Sequence, residues 1–356
     1  MKHQIAIVGG QITPVFLGIR EKNPQVVHLL YTKDSRFHIP IIKHLFPSVK
    51  INSYQVEPYD FEEIKKKVEE IILAHPNVSF ELNLTGGTKV MALACQYVFN
   101  IRSLDVFYID QQSKIFDFSK QSYTDVMSKI SIDTFIKLSG HQKYSANRIT
   151  DFTNGEYIFA KEISQISNKK LTSLINTIKL NIKDIDNCNK FSISNPKFTL
   201  QWNSPDFTLD LQNSKINIKS KKAFSIAFNG GWWELLVADS IKKWRKIYEL
   251  NLNVELYSKT TSNIKNEIDI VMSTGKKLIF IECKSGYVKQ DDINKIRTVN
   301  KLYGGVACKS ILVCKYKPRP DIIEKCKDLG IAIFCDNNLN KLINKLDSTV
   351  LEMELY

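Results

Sequence analysis

The chain has 356 residues, 43% of them apolar, with 50 Lys and Arg against 37 Asp and Glu and a formal charge of +13. That length and apolar content allow two or three domains, each with its own core, and exclude an intrinsically disordered chain. The basic excess favours polyanionic partners, because phosphates bound by Lys and Arg release condensed counterions. No apolar run approaches the roughly 20 residues of a membrane span, and Met1-Lys2-His3-Gln4 leads into a strand without a signal-peptide pattern, so a cytoplasmic chain is expected.

Strand and helix signals alternate through the first third. Ile5 to Val8 is followed by a helical pattern over Ile12 to Arg20, Val26 to Tyr31 by Phe37 to Phe46, and Ile51 to Val56 by Phe61 to Leu73. In the last helix Phe61, Ile64, Val68, Ile71 and Ile72 fall on one stripe. Val78 to Leu84, a helix over Thr88 to Phe99, and Asp105 to Ile109 continue the rhythm, which predicts a parallel, doubly wound sheet. Ligands of such sheets lie at the carboxyl ends of the strands. Two loops stand out there: Gly9-Gly10-Gln11-Ile12-Thr13-Pro14 after the first strand, and Asn83-Leu84-Thr85-Gly86-Gly87-Thr88-Lys89 after the fourth. In the second, glycines permit close backbone approach, a helix N-terminus offers unpaired N–H groups, and Thr85, Thr88 and Lys89 add hydroxyl and cationic donors. It reads as a phosphate cradle or, taken alone, as a glycine turn capping a helix. Neither loop has the Walker or Gly-x-Gly-x-x-Gly spacing.

From Asp151 to Phe228 the pattern weakens. Phe159, Ile163, Ile166, Leu171, Leu174, Ile175 and Ile178 suggest two short helices broken near Asn168, and Lys197 to Trp202, Asp206 to Leu211 and Lys215 to Lys219 alternate like short strands. Two readings stand: a winged-helix-like unit, or a connector packing the larger domains.

The last third carries the chemistry. After Gly230-Gly231, the stretch Trp232 to Leu250 places Trp233, Val237, Ile241 and Trp244 at helical spacing, and Glu234 precedes Val237, Ala238 and Ile241 by three, four and seven positions. Glu234 is therefore expected to face inward, where a carboxylate needs a cation beside it. Two strands follow, Glu267 to Met272 with Asp269 inside it, and Leu278 to Ile281 running into Glu282-Cys283-Lys284; a helix is expected over Asp291 to Leu302. Side chains alternate faces along a strand, so Glu282 and Lys284 share one face, and the neighbouring strand can bring Asp269 to them. Hard carboxylate oxygens suit Mg²⁺ or Mn²⁺, and a cation so held, beside a lysine, activates water for attack on a phosphodiester. The seven cysteines (Cys95, Cys188, Cys283, Cys308, Cys314, Cys326, Cys335) form no Cys-x-x-Cys pair and read as buried small hydrophobes. The six histidines show no metal-ligand spacing, and no chemistry is expected of them.

Asp269, Glu282-Cys283-Lys284 and the preceding Glu234 resemble the PD-(D/E)xK nuclease superfamily, with Ile268 where that motif has its proline. Asn83-Leu84-Thr85-Gly86-Gly87-Thr88-Lys89, with the Gly9-Gly10 loop, resembles the CRISPR-associated Rossmann fold (CARF) ligand-binding domain. Together, over about residues 1 to 120 and 228 to 340, the chain looks like the CARF-fused nucleases of type III CRISPR defence. The resemblance implies an α/β fold class with a CARF domain and its exit helix over residues 1–150, a connector over 151–227 and a PD-(D/E)xK nuclease domain over 228–356. It also implies a homodimer in which a cyclic oligoadenylate, typically cyclic tetra-adenylate, switches on metal-dependent cleavage of single-stranded DNA or RNA. Ligand contacts would come from Gly10, Gln11, Thr13, Thr85, Gly86, Gly87, Thr88 and Lys89, with Thr32 or Lys33 as weaker candidates. The catalytic set would be Glu234, Asp269, Glu282 and Lys284, with Mn²⁺ or Mg²⁺ on Asp269, Glu282 and the Cys283 carbonyl. Lys242, Lys243, Trp244, Arg245, Lys259 and Lys289 are candidates for guiding substrate. The rival readings are a ligand-gated DNA-binding regulator with an inactive nuclease-like domain, and a duplex-specific restriction-type endonuclease.

Overall fold

The computed structural model describes residues 1–141, 144–182, 189–212, 214–258, 263–304, 308–336 and 338–355; Cys188 and Lys259 lie outside them. The first unit alternates β1 (Lys2–Val8), α1 (Thr13–Lys22), β2 (Val26–Tyr31), α2 (His38–Leu45), β3 (Lys50–Gln55), α3 (Phe61–Leu73), β4 (Ser79–Asn83), α4 (Lys89–Ile101) and β5 (Asp105–Ile109), then closes with the hairpin β6 (Lys114–Asp117) and β7 (Ser122–Asp125). The sheet order is β3-β2-β1-β4-β5-β6-β7, parallel from β3 to β5 and antiparallel beyond. Strands covered on both faces read as continuous apolar runs, which is why Ile5 to Val8 and Val26 to Leu30 carry so few polar residues. One face packs on α3 and α4 through Ile64, Val68, Ile71, Met91 and Val98; the other packs on α1 and α2 through Val15, Ile19, Ile39 and Ile42. The order reverses between β1 and β4, so the loops leaving these two strands meet at the switch point.

A helix α5 (Ile132–Leu138) leads to β8 (Tyr144–Arg148), then α6 (Asn154–Gln165) and α7 (Asn168–Asn181). An antiparallel four-stranded sheet follows, β9 (Lys190–Asn195), β10 (Phe198–Asn203), β11 (Asp206–Asp210) and β12 (Lys215–Lys219), in the order β12-β11-β10-β9. Three of these strands and both helices match the sequence pattern; β9 was not read. The middle segment shares one continuous core with the last third: Phe159, Leu200, Phe207 and Leu209 join Trp232, Val237, Ile270 and Ile281.

The last third runs α8 (Ala223–Phe228), α9 (Gly231–Ile241), β13 (Glu249–Tyr257), β14 (Ile264–Ser273), β15 (Leu278–Lys284), α10 (Gln290–Val299), β16 (Cys308–Cys314), α11 (Pro320–Asp328), β17 (Ala332–Phe334) and α12 (Leu342–Leu355). Its sheet has the order β17-β16-β15-β14-β13-β8. β8 therefore pairs with β13 although it precedes position 150, so by hydrogen bonding that strand belongs with the C-terminal sheet. The helix expected from Trp232 to Leu250 is shorter than its pattern. It stops at Ile241, and Leu250 already lies in β13, because the apolar residues of Leu250 to Leu256 alternate with period two rather than continuing the helical stripe. Trp244 is buried, and its indole N–H donates to Asp347 Oδ1 at 3.1 Å, so it is core rather than a substrate guide.

Candidate active site and ligand cavity

β14 and β15 pair from Ser273 opposite Leu278 as far as Ile270 opposite Ile281. Beyond that point the Asp269 carboxylate takes over the role of a ladder partner: the Cys283 amide donates to Asp269 Oδ2 at 2.6 Å. In an extended strand the amide and carbonyl of one residue point to the same side, so the Cys283 carbonyl also faces β14 and Asp269. Glu282, 5% exposed, and Lys284 share one face of β15, as strand alternation requires. Lys284 Nζ stands 2.9 Å from Glu282 Oε1 and 3.2 Å from Asp292 Oδ1, and Lys295 Nζ approaches the same Glu282 oxygen at 3.1 Å.

Glu234 reaches this centre from the first turn of α9. The helix starts at Gly230 with φ +93°, a conformation that glycine adopts without strain. The Trp233 indole N–H donates to the Val313 carbonyl at 3.2 Å, which fixes the helix across the sheet. Glu234 Oε2 accepts from Asn253 Nδ2 at 2.9 Å; Asn253 itself sits at φ +48°, where β13 is irregular against β8. Burial pushes the Glu234 carboxyl up to about 7, with Glu267 and Glu282 adding to the shift against the Asn253 hydrogen bond and Lys284. Asp269 is raised well above the usual carboxylate range, first by desolvation and then by Glu282 and Glu234. Desolvation pulls Lys284 down, but Glu282, Asp269 and Asp292 together outweigh it and hold the ammonium above its ordinary value. Two buried carboxyl groups raised in this way, with Glu282 beside them, need cations, and the oxygens of the three together with the Cys283 carbonyl form a hard donor set that fits Mg²⁺ or Mn²⁺. Asn253, Asp292 and Lys295 were not singled out from sequence. Lys295 and Asp292 sit on α10, on the side that packs back toward β15, and only their position in a helix expected there hinted at them.

The second site lies at the β1–β4 switch point. A cavity of about 610 Å³ is lined by Gly9, Gly10, Gln11, Thr13, Thr85, Gly86 and Gly87 on one side and by Lys276, Lys277, Lys309 and Glu352 of the C-terminal third on the other. The glycines are required by contact: a Cβ at Gly86 would collide with the Ile7 carbonyl oxygen, and Gly87 has φ +75°. Thr85 is spoken for within the loop, its hydroxyl donating to Asn83 Oδ1 at 2.7 Å and accepting the Ile109 amide at 2.8 Å. Thr88 caps α4 by accepting the Met91 amide, and donates to the Pro58 carbonyl at 2.6 Å; neither it nor Lys89 lines the cavity. Thr32 and Lys33 do not line it either; Thr32 caps a short turn with Ser35. The cations supplied from Lys276, Lys277 and Lys309 were invisible in sequence, because they come from far along the chain.

Residues 4–135 match the family model of the Card1 CARF domain, and residues 221–353 that of the Card1-like endonuclease domain. No curated protein matches the chain in sequence. Among solved structures the chain is similar to Can2 from Sulfobacillus thermosulfidooxidans in complex with cyclic tetra-adenylate, with TM-score 0.74 and 22% identity over 98% of this chain and 99% of that one. It is similar to protein VC1899 from Vibrio cholerae, with TM-score 0.78 and 16% identity over 99% and 98% of the two chains. A type III CRISPR defence DNA nuclease activated by cyclic oligoadenylate also matches, with TM-score 0.61 and 14% identity over 97% of this chain and 51% of that one. At these identities the likeness is one of fold.

Proposed function

The chain belongs to the Card1 family, with a CARF domain followed by a Card1-like endonuclease domain, and from that premise we propose a cyclic-oligoadenylate-gated nuclease of type III CRISPR defence that cuts single-stranded DNA or RNA. The observation that carries the reading is the meeting of Glu234, Asp269, Glu282 and Lys284 where β14 and β15 part, with two carboxyl groups driven above their ordinary range. Asp269, Glu282 and the Cys283 carbonyl would hold a divalent ion, which would supply Lewis acidity to the reaction. Lys284 neutralises charge that builds on the phosphate, Asn253 orients Glu234, and Lys295 and Asp292 hold Glu282 and Lys284 in place.

The Can2 structure contains cyclic tetra-adenylate, and the same ligand class suits the cavity at the β1–β4 switch point of this chain. The glycine loops would meet its phosphates from one side, and Lys276 and Lys309 from the other. A homodimer fits the exposed stripe of Leu93, Tyr97 and Ile101 at helical spacing on α4, with exposures of 59%, 47% and 66%. A single-stranded substrate suits the nuclease end of β15. Tyr287 is 92% exposed there, and with Lys289, Tyr316, Lys317 and Arg319 it lines a hollow of about 410 Å³. Exposed aromatics among cations are a stacking platform for unpaired bases. An inactive regulator has no use for the intact carboxylate set, and a restriction-type enzyme has none for the cavity.

The test is cleavage of labelled single-stranded DNA and RNA with Mn²⁺, with and without cyclic tetra-adenylate, by the wild type, Glu282→Ala and Gln11→Ala proteins. Cleavage that requires ligand and is lost in both variants supports the reading. Ligand binding without any cleavage would promote the regulator, and cleavage indifferent to ligand would remove the gate.

A further inference from the structure

At the end of the first sheet remote from the glycine loops, three histidines converge. His3 stands in β1, His28 in β2 and His75 in the turn after α3; His3 and His28 are 3% and 0% exposed, and His75 is partly exposed. One ring nitrogen of each lies within 4.8 Å of the other two. Ring centroids are 5.1 Å apart for His3 and His28, 4.9 Å for His3 and His75, and 5.5 Å for His28 and His75, and Phe80 packs against all three.

We propose that His3, His28 and His75 form a binding site for a zinc-class transition-metal ion, chemically distinct from the carboxylate centre. Geometry carries it: one ring nitrogen of each of three histidines from separate elements gathers within 4.8 Å of the others, and His3 Nδ1 and His28 Nε2 stand 3.1 Å apart. Two imidazoles on a tetrahedral ion at about 2.0 to 2.1 Å are separated by about 3.3 Å, so an ion takes the place of the one proton these nitrogens now share with little movement. The other nitrogen of His28 faces Tyr54 Oη at 3.3 Å, the kind of outer partner that orients a ligating ring. An all-imidazole set selects Zn²⁺, Co²⁺, Ni²⁺ or Cu²⁺ over Mg²⁺ and Mn²⁺, and the partly exposed His75 marks the open side, where solvent completes the shell. The ion would tie β1, β2 and the turn between α3 and β4 together, stapling the end of the sheet opposite the ligand cavity. Residue spacing gave no sign of it, because the three ligands come from separate elements.

The experiment uses the full chain carrying Asp269→Asn, which cripples the carboxylate centre, stripped with chelator and reloaded with Co²⁺ or Zn²⁺. One equivalent of metal should survive desalting, with a visible Co²⁺ spectrum of a tetrahedral nitrogen site, and excess Mg²⁺ should not displace it. Adding His75→Gln should weaken retention by at least about tenfold while leaving the metal-free melting temperature unchanged. If His75→Gln fails to fold, His75→Asn serves in its place. Retention below a tenth of an equivalent in the Asp269→Asn protein, or retention unaffected by the His75 change, would overturn the site.

Discussion

Lys295 Nζ lies 3.1 Å from Glu282 Oε1, the oxygen that Lys284 holds at 2.9 Å. One carboxylate oxygen thus carries two ammonium groups, which leaves Oε2 for a cation. Lys295 reaches it from α10, after the chain has turned back behind β15, so its role is to position Glu282 rather than to touch substrate. Lys295→Ala is expected to lower cleavage about 10- to 100-fold, the usual cost of losing an outer partner of a metal ligand. Lys284→Ala should cost more in kcat while leaving Mn²⁺ affinity closer to wild type, since Lys295 still holds Glu282. Titrating Mn²⁺ against rate separates the two, and equal effects on affinity and kcat from both variants would remove the distinction.

The raised carboxyl groups set a sign for stability. Glu234 titrates near 7 when folded, against an ordinary 4.5, so between these values the native state keeps a proton that the unfolded chain has released. Stability of the metal-free protein therefore falls as pH rises from about 4.5 to about 7, and Asp269, also raised, pushes in the same direction. At about 1.4 kcal/mol per pKa unit the Glu234 shift is worth a few kcal/mol. Denaturant melts in EDTA from pH 5 to 8 should show this decline, Mn²⁺ should reverse it, and Glu234→Gln should flatten it. A stability that rises over the same range would contradict the assignment.

Much of this was legible because local rules and global fold agree. The alternation from Ile5 to Ile109 gave every element of the parallel sheet, since both faces of those strands are buried and apolar runs are unmistakable. Glu282-x-Lys284 was legible because strand alternation fixes which side chains meet. The rest depends on distant parts of the chain. Thr88 reads in sequence as a ligand donor, and in the structure it caps α4, the two uses of a threonine at a helix start being alike in sequence. Asn253, Lys295 and the lysines of the cavity acquire their partners only when β13, α10 and the turn between β14 and β15 are brought together, and no spacing records that.

Tyr287, 92% exposed two residues after Ser285, has no structural reason to be aromatic. Base stacking on an aromatic ring is worth about 1 to 3 kcal/mol, so Tyr287→Ala should raise KM for a single-stranded substrate about 5- to 150-fold with kcat little changed. Tyr287→Phe keeps the ring and should behave as wild type. The comparison is steady-state cleavage of a short labelled oligonucleotide; if Phe and Ala variants fall together, the hydroxyl rather than stacking is at work.

Lys277, 6% exposed, sits in the turn joining β14 to β15, the strands that carry Asp269 and Glu282. Its Nζ donates to the Gln111 carbonyl at 2.6 Å, beside the ligand cavity, and to the Met353 carbonyl of α12 at 3.3 Å. The same turn is bolted to the first unit from its other side, where the Ile130 amide donates to the Gly275 carbonyl at 2.8 Å and Ser273 Oγ to the Ile130 carbonyl at 2.7 Å. A ligand that moves the loop at Gln111 therefore pulls on the base of the two strands that carry Asp269 and Glu282. A ligand shifts such an equilibrium only by its differential affinity for the two arrangements. Lys277→Met keeps the stem and removes the donors, so at saturating cyclic tetra-adenylate the ratio of ligand-stimulated to basal cleavage should fall about 5- to 150-fold, the span of a 1 to 3 kcal/mol coupling. An unchanged ratio at saturation, with ligand binding confirmed calorimetrically, would place the coupling elsewhere than this turn.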